Sequence, residues 1–311
     1  MMKVYKDLND LPVFKNAIVT IGTFDGVHMG HKQIIKLLKE EAKAEHGETV
    51  IITFYPHPRR ILAGGESQVK IINTLAEKTK LLEEQQIHHL AVVDFNEDFA
   101  KQTAEEYVEH FLVKKFHPHT IIIGYDHRFG MQRMGDYQLL EKLGLQFSYR
   151  VKEIPEHILH DVIISSTKIR EAITQSAIEK ANSFLGYAYF FTGRVVEGNK
   201  LGGTIGYPTA NLQVEDAEKL IPGNGVYAVT VQLKNETVRY KGMMNIGIRP
   251  TVQGTKLTIE VNIFAFDKEI YDEEITVHVH HYLRAEIKFE GLEQLIKQLA
   301  LDEIQATQLL T

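Results

Sequence analysis

Two imidazoles three residues apart, His28 and His31, close the string Thr20-Ile21-Gly22-Thr23-Phe24-Asp25-Gly26-Val27-His28-Met29-Gly30-His31. The apolar run Ala17-Ile18-Val19 precedes it, and Ile34, Ile35, Leu37 and Leu38 follow at helical spacing, so the string reads as strand, glycine-rich turn and helix start. Glycines permit positive φ and let backbone approach a ligand closely. The free N–H groups and positive dipole end of a helix favour an anion such as phosphate, and residues at i and i+3 share a helix face. The chemistry on offer is phosphate binding with two imidazole donors. The same pair also suits two solvated side chains or half of a metal site.

Other stretches carry compatible groups. Ile164-Ser165-Ser166-Thr167-Lys168-Ile169-Arg170 opens with helix-capping hydroxyls and sets Arg170 at the next turn. Thr53-Phe54-Tyr55-Pro56-His57-Pro58-Arg59 offers His57 and Arg59 to a phosphate or a flat ring from a path stiffened by Pro56 and Pro58. In Gly124-Tyr125-Asp126-His127-Arg128-Phe129-Gly130, Asp126 suits a ribose or flavin polar edge, and Arg128 or Arg133 suits phosphate. Between Gly193 and Asn211 a strand enters a loop with Gly198, Lys200, Gly202, Gly203 and Gly206, whose amides can wrap phosphates. That loop ends in Pro208-Thr209-Ala210-Asn211, a hydroxyl and an amide oxygen of the hard kind Mg²⁺ accepts beside phosphate oxygens. It is not a Walker A loop, which needs Gly-Lys-[Ser/Thr]. Glu260 alternates with Ile259, Val261 and Ile263, which puts it on the opposite strand face, where a carboxylate can take the proton of an attacking hydroxyl. An exposed strand glutamate would read the same way.

Residues 17 to about 170 alternate strand and helix patterns, which predicts a parallel βαβ sheet. Strands are expected at Ala17–Ile21, Thr49–Phe54, Leu90–Phe95, Thr120–Ile123 and Gln146–Val151, with helices at Lys32–Ala44, Leu75–Gln86, Ala104–Lys115 and Gly135–Leu143. Ligands of such sheets bind beyond the carboxyl ends of the strands, where the loops above lie. Ala63–Gln68 reads as a mobile, glycine-containing flap. From Tyr189 the pattern changes to strands at Tyr189–Val196, Gly225–Leu233, Thr237–Asn245, Leu257–Phe266 and Glu274–Tyr282, then a helix at Leu292–Ala300, as in a small antiparallel barrel. The boundary is expected near residue 184, giving domains 1–184 and 185–311. His278 and His280 are expected on a solvated strand face, and His88, His89, His117 and His119 at the surface.

The 311 residues are 44% hydrophobic and 24% charged, with a net charge of −6 that argues against a broad nucleic-acid surface. There are no cysteines, which excludes disulfides and thiolate chemistry and fits a reducing compartment. The sequence shows no leader-like start and no apolar run long enough to span a bilayer. These features lead us to expect a cytoplasmic protein, monomeric or weakly homo-oligomeric, that binds small molecules and neither nucleic acid nor membrane.

The string Gly-x-Phe-Asp-Gly-x-His-x-Gly-His resembles the nucleotidyltransferases with a His-x-Gly-His motif, most closely the bacterial bifunctional riboflavin kinase/FAD synthetases. Ile-Ser-Ser-Thr-x-Ile-Arg matches the second motif of that superfamily, and Thr-Phe-x-Pro-His-Pro-Arg a flavin-side motif. Gly-Tyr-Asp-His-Arg-Phe-Gly matches a further motif except at His127. Pro208–Asn211, Ile221–Tyr227, Asn245–Thr251 and Glu260 follow the riboflavin kinase pattern in order. The resemblance implies a Rossmann-like nucleotidyltransferase domain followed by a β-barrel kinase domain, and through them riboflavin + ATP → FMN + ADP, then FMN + ATP → FAD + diphosphate. It implies His28, His31 and Arg170 as catalytic groups of the transferase and Glu260 as base of the kinase. Nucleotide contacts fall on Gly22, Phe24, Asp25, Gly30, Ser165, Ser166, Thr167, Gly198, Lys200, Gly202, Gly206 and Pro208. Flavin contacts fall on Pro56, His57, Pro58, Asp126 and Arg284, and Mg²⁺ ligands on Thr209 and Asn211. The kinase pattern usually has a basic residue at Gly203, His and Asp at Asn262 and Ala265, and Gly at Asp272. An adenylyltransferase for another phosphorylated vitamin, or a flavin-binding regulator with an inactive kinase domain, are the alternatives.

Overall fold

A computed structural model describes residues 1–62, 69–125, 127–154, 164–198, 201–251 and 254–310, with backbone alone at 201, 250–251 and 254–256. Asp126, Lys200 and the flap expected at 63–68 lie outside the described residues. The chain forms two compact units, Met1–Ser166 and Thr167–Thr311.

The first unit is built on a six-stranded sheet ordered β1-β4-β3-β2-β5-β6, with β1 Lys3–Tyr5, β2 Ile18–Ile21, β3 Thr49–Tyr55, β4 His89–Asp94, β5 Thr120–Gly124 and β6 Arg150–Ile154. Every pairing in it is parallel. Strands covered on both faces carry near-continuous apolar runs, as Val50–Ile52 do and as Ile18–Ile21 does with Thr20 as its one polar member, all buried. The last strand lies later than the expected 146–151, because the preceding helix runs on from Tyr137 to Phe147 and ends only where Ser148 turns left-handed at φ 61°. β1 is three residues long, too short to show periodicity. It turns β4 into an interior strand, which overturns the surface expectation for His89. That imidazole is buried, with Nδ1 3.1 Å from the Tyr5 hydroxyl and its ring 4.8 Å from that of Phe14.

In the second unit, β7 (Tyr189–Val196), β8 (Ala210–Gln213), β9 (Gly225–Leu233), β10 (Arg239–Thr251), β11 (Gly254–Ile263) and β12 (Glu274–Arg284) close a barrel in the order β10-β11-β8-β7-β12-β9. Strand β8, unforeseen, is a four-residue piece directly after Pro208. Helix Ile178–Leu185 is tied to the barrel through Asn182, whose amide donates to Val279 O at 2.9 Å and accepts from Tyr189 N–H at 2.7 Å. His278, expected in solvent, is buried against the Phe190 ring at 5.2 Å, and His280 Nε2 lies 2.9 Å from the Thr230 hydroxyl. The closing helix runs Leu292–Leu309, well past the expected Ala300. Ala265 and Asp272 are left-handed, at φ 50° and 61°. Asp and Gly, the residues that the kinase pattern usually shows at these two positions, tolerate that conformation better than alanine does.

Candidate active sites

Beyond Ile21 the chain of the first unit leaves the sheet, with Gly22 N–H still bonded to Ile52 O at 3.0 Å. Phe24, Gly26 and Val27 then take positive φ of 47°, 92° and 36°, a tight turn that seats the Phe24 ring in the core. A Cβ on Gly22 would lie 3.2 Å from that ring, a tight approach that the ring would have to yield to by a few tenths of an ångström. Buried Asp25 accepts N–H bonds from Ile72 at 3.0 Å and Asn73 at 3.2 Å, which makes its carboxylate a pin for the turn. His28 caps helix Met29–Ala44 through Nδ1, which accepts from His31 N–H at 3.4 Å. The two imidazoles stack at 3.7 Å, and a Cβ on Gly30 would lie 3.2 Å from the His28 ring, close enough to press on the pair.

The electrostatics suit an incoming anion. Buried Lys78 donates to Thr23 O at 2.8 Å and to the Thr53 hydroxyl at 3.1 Å, so a cation sits directly under the glycine-rich turn. Burial pushes the Lys78 ammonium down to about 8, with Asp25 pulling it back up. His31 is held well below its ordinary range by burial first, then by His28 and Lys78. Its Nδ1 is buried with no partner among the described residues. An anion entering here favours the protonated imidazole and so raises that value. The second motif begins at the same turn, because the Ser166 hydroxyl donates to Asp25 O at 2.9 Å. Ser165 and Thr167 flank Ser166 in the chain and are exposed, and Arg170 is one turn along helix Ser166–Thr174, partly buried.

Pro56, His57 and Pro58 continue from β3, next to β2, at the carboxyl edge of the sheet. There His57 Nδ1 accepts from Arg59 N–H at 3.2 Å, and Pro58 opens helix Pro58–Leu62. Arg128 is engaged by Asp136 at 2.9 Å, and the His127 ring lies 6.0 Å from that of Phe129, packing where the family pattern has phenylalanine.

In the barrel, register aligns three polar residues across neighbouring strands. Asn211 of β8 pairs with Glu260 of β11, which pairs with Asn245 of β10. This row floors a cavity of about 300 Å³ that also meets Gly202, Tyr207, Thr209 and Arg249. Met243, Met244, Phe289 and Leu299 give it an apolar wall. A Cβ on Gly198 would run into the Asn211 amide, and one on Gly202 into Tyr207 O, so at both positions the backbone approaches too closely for a side chain. Gly206 turns the chain back at φ 83°. Asn262, where the pattern has histidine, donates to Pro208 O at 2.7 Å and so holds the strand start that carries Thr209. A second cavity of about 260 Å³ lies beside Pro208, Val261, Phe266, Lys268 and Tyr271, and Thr209 borders both.

Arg284 lines the larger cavity, but its guanidinium is committed to the wall, with Nε and Nη2 donating to Asp302 at 2.9 and 2.7 Å. Asp302 is 1% exposed and Arg284 18%. Removing one partner of a buried pair leaves an uncompensated charge. Asp302→Ala is therefore expected to destabilise the barrel by ~3–5 kcal/mol. Replacing both by apolar residues, Arg284→Met with Asp302→Leu, should recover most of that loss in urea titrations. Sequence reading passed over Asp302, Arg249 and Lys78. Asp302 had a signal, being an acid on the face of the closing helix that carries Leu295, Leu299 and Ala306.

The fold and these sites define a two-part enzyme architecture, a parallel α/β nucleotide-binding unit followed by a β-barrel with a polar-floored cavity. Residues 11–168 match the family model for FAD synthetase, and residues 185–310 that for riboflavin kinase. Proteins described as bifunctional riboflavin kinase/FMN adenylyltransferase are similar over nearly the whole chain. That of Listeria monocytogenes is 37% identical, covering 93% of this chain and 90% of the relative. That of Haemophilus influenzae is 35% identical (93% of each), and that of Escherichia coli K12 34% (98% and 97%). A crystal structure described as a macrolide-efflux protein from Streptococcus pneumoniae superposes with a TM-score of 0.86 at 30% identity, covering 98% of both chains. Among the described residues of this chain, no helix is long and apolar enough to cross a membrane. The chain belongs to the bifunctional riboflavin kinase/FMN adenylyltransferase family.

Proposed function

We propose that the barrel phosphorylates riboflavin with ATP to give FMN and ADP, and that the α/β unit then joins FMN to the adenylyl group of a second ATP, giving FAD and diphosphate. The observation that carries the reading is the placement of Thr209 on the border of both barrel cavities, with Asn211 and Glu260 side by side on the floor of the larger one. The apolar wall of the larger cavity suits a flat flavin ring, and Phe266 and Tyr271 in the smaller one suit adenine, so the triphosphate would cross at Thr209. Mg²⁺ fits the donors present. Thr209 and Asn211 offer two neutral oxygens, which suit an ion that completes its shell with phosphate oxygens and water. The ion would neutralise charge on the phosphates.

Glu260 takes the proton of the ribityl hydroxyl as its oxygen bonds to Pγ and the Pγ–O bond to ADP breaks. In the α/β unit the FMN phosphate is already an anion, so it attacks Pα without a strong base. His28, His31, Ser165, Thr167 and Arg170 align the groups and balance developing charge, and Gly22, Phe24 and Gly30 shape the turn that holds the polyphosphate. Pro56, His57 and Pro58 serve the flavin side. We further take the division near residue 184 as the functional boundary and the cysteine-free chain as working in the reducing cytoplasm, as a monomer or weak oligomer. Incubation with riboflavin and MgATP, followed by separation of the flavins, tests the reading. FMN followed by FAD is expected. FMN alone would remove the transferase step, and unchanged, tightly bound riboflavin would favour a regulator.

A further inference from the structure

The carboxylate read as the kinase base is not free. Arg249 Nη2 lies 2.7 Å from Glu260 Oε1. Arg249 sits four residues beyond Asn245 on β10, an even step that returns it to the strand face carrying the polar row. The guanidinium is half exposed, at 51%, whereas Glu260 is 21% exposed. Arg284, the other described arginine on this cavity, is fixed to the wall by Asp302 and Ala285 O and is 18% exposed. Among the described lining residues, Arg249 is thus the more exposed arginine and the one held by the carboxylate a substrate would replace. Arginine presents a planar fork of donors that matches phosphate oxygens.

We propose that Arg249 is a counter-ion that the substrate displaces: it holds Glu260 in the free enzyme and transfers to the γ-phosphoryl oxygens when the triphosphate arrives. The move frees Glu260 to accept the ribityl proton and places a positive charge where phosphoryl charge builds up. Arg249 keeps its proton throughout. The hydroxyl proton goes to Glu260, and the electrons of the broken Pγ–O bond go to the β-phosphate oxygen of ADP. The base then becomes available only with ATP in place, which discourages idle chemistry on riboflavin alone.

The inference rests on Glu260 being the base, and the experiment separates the two. Riboflavin phosphorylation, with its KM for ATP and its inhibition by ADP, is measured for wild type, R249Q, R249K and E260Q, with FAD formation from supplied FMN in the same preparations reporting a folded chain. R249Q should lower kcat by ~10²-fold, on the scale of losing one transition-state donor, and raise KM for ATP more than Ki for ADP, because the guanidinium meets the γ-phosphoryl group that ADP lacks. R249K should restore part of kcat and part of the preference for ATP. An R249Q protein with wild-type kcat, or one whose KM for ATP and Ki for ADP change in the same proportion, would overturn the inference. Full activity in E260Q would overturn the assignment of the base itself.

Discussion

His28→Ala should lower FAD formation from supplied FMN by ~10²-fold or more and leave FMN formation from riboflavin at its wild-type rate. The imidazole is stacked 3.7 Å from His31 at the mouth of a helix N-terminus, with Lys78 under the same turn, so its loss removes one of few donors where charge on the diphosphate leaving group develops. His28 and Lys78 are buried, and buried donors are worth more than the same groups in solution. His28 is also the N-cap of its helix, and losing a cap costs about 1 kcal/mol of stability. His28→Asn separates the two roles. It restores a side-chain cap oxygen without an imidazole, so stability should recover and FAD formation should not. The check is initial rates of both reactions on each variant, with thermal unfolding alongside.

Glu260→Gln should have the mirror-image effect, lowering riboflavin phosphorylation by ~10²–10⁴-fold, the range for a lost general base, while FAD formation from supplied FMN continues. Glutamine keeps nearly the same shape and can still accept from Arg249, so the row Asn211–Glu260–Asn245 should stay in register. KM for ATP should change little, since the proposed ATP contacts lie on Thr209, Asn211 and the glycine loop. A loss confined to kcat separates a missing base from a collapsed cavity, which would raise both KM values.

Much of this was legible in the sequence where chemistry is tied to local backbone. The Gly22–His31 turn and the period-2 placement of Glu260 depend on spacing within about ten residues, and spacing is what a sequence displays. What escaped depends on partners distant in the chain. Lys78 lies 55 residues from Thr23, and as one lysine of a helix it gives no sign that its ammonium ends beneath the glycine-rich turn. Arg249 was quoted within a motif, but only the antiparallel register of β10 and β11 brings it to Glu260. Surface expectations failed at His89 and His278 for a related reason, since a three-residue edge strand and the aromatic ring of Phe190 cover them. The left-handed φ at Asp272 shows the converse case, in which a glycine in the family pattern already pointed to a backbone requirement that the structure displays.

The central claim is that two separate sites in one chain act in sequence through FMN. Mixing the His28→Ala and Glu260→Gln proteins with riboflavin and MgATP tests it most directly. FMN made by the barrel of the first should diffuse to the α/β unit of the second, so FAD should accumulate after a lag that shortens with protein concentration, although neither variant alone makes it at an appreciable rate. If the mixture forms no more FAD than the sum of its parts, while FMN accumulates normally, two independent sites linked by free FMN are contradicted.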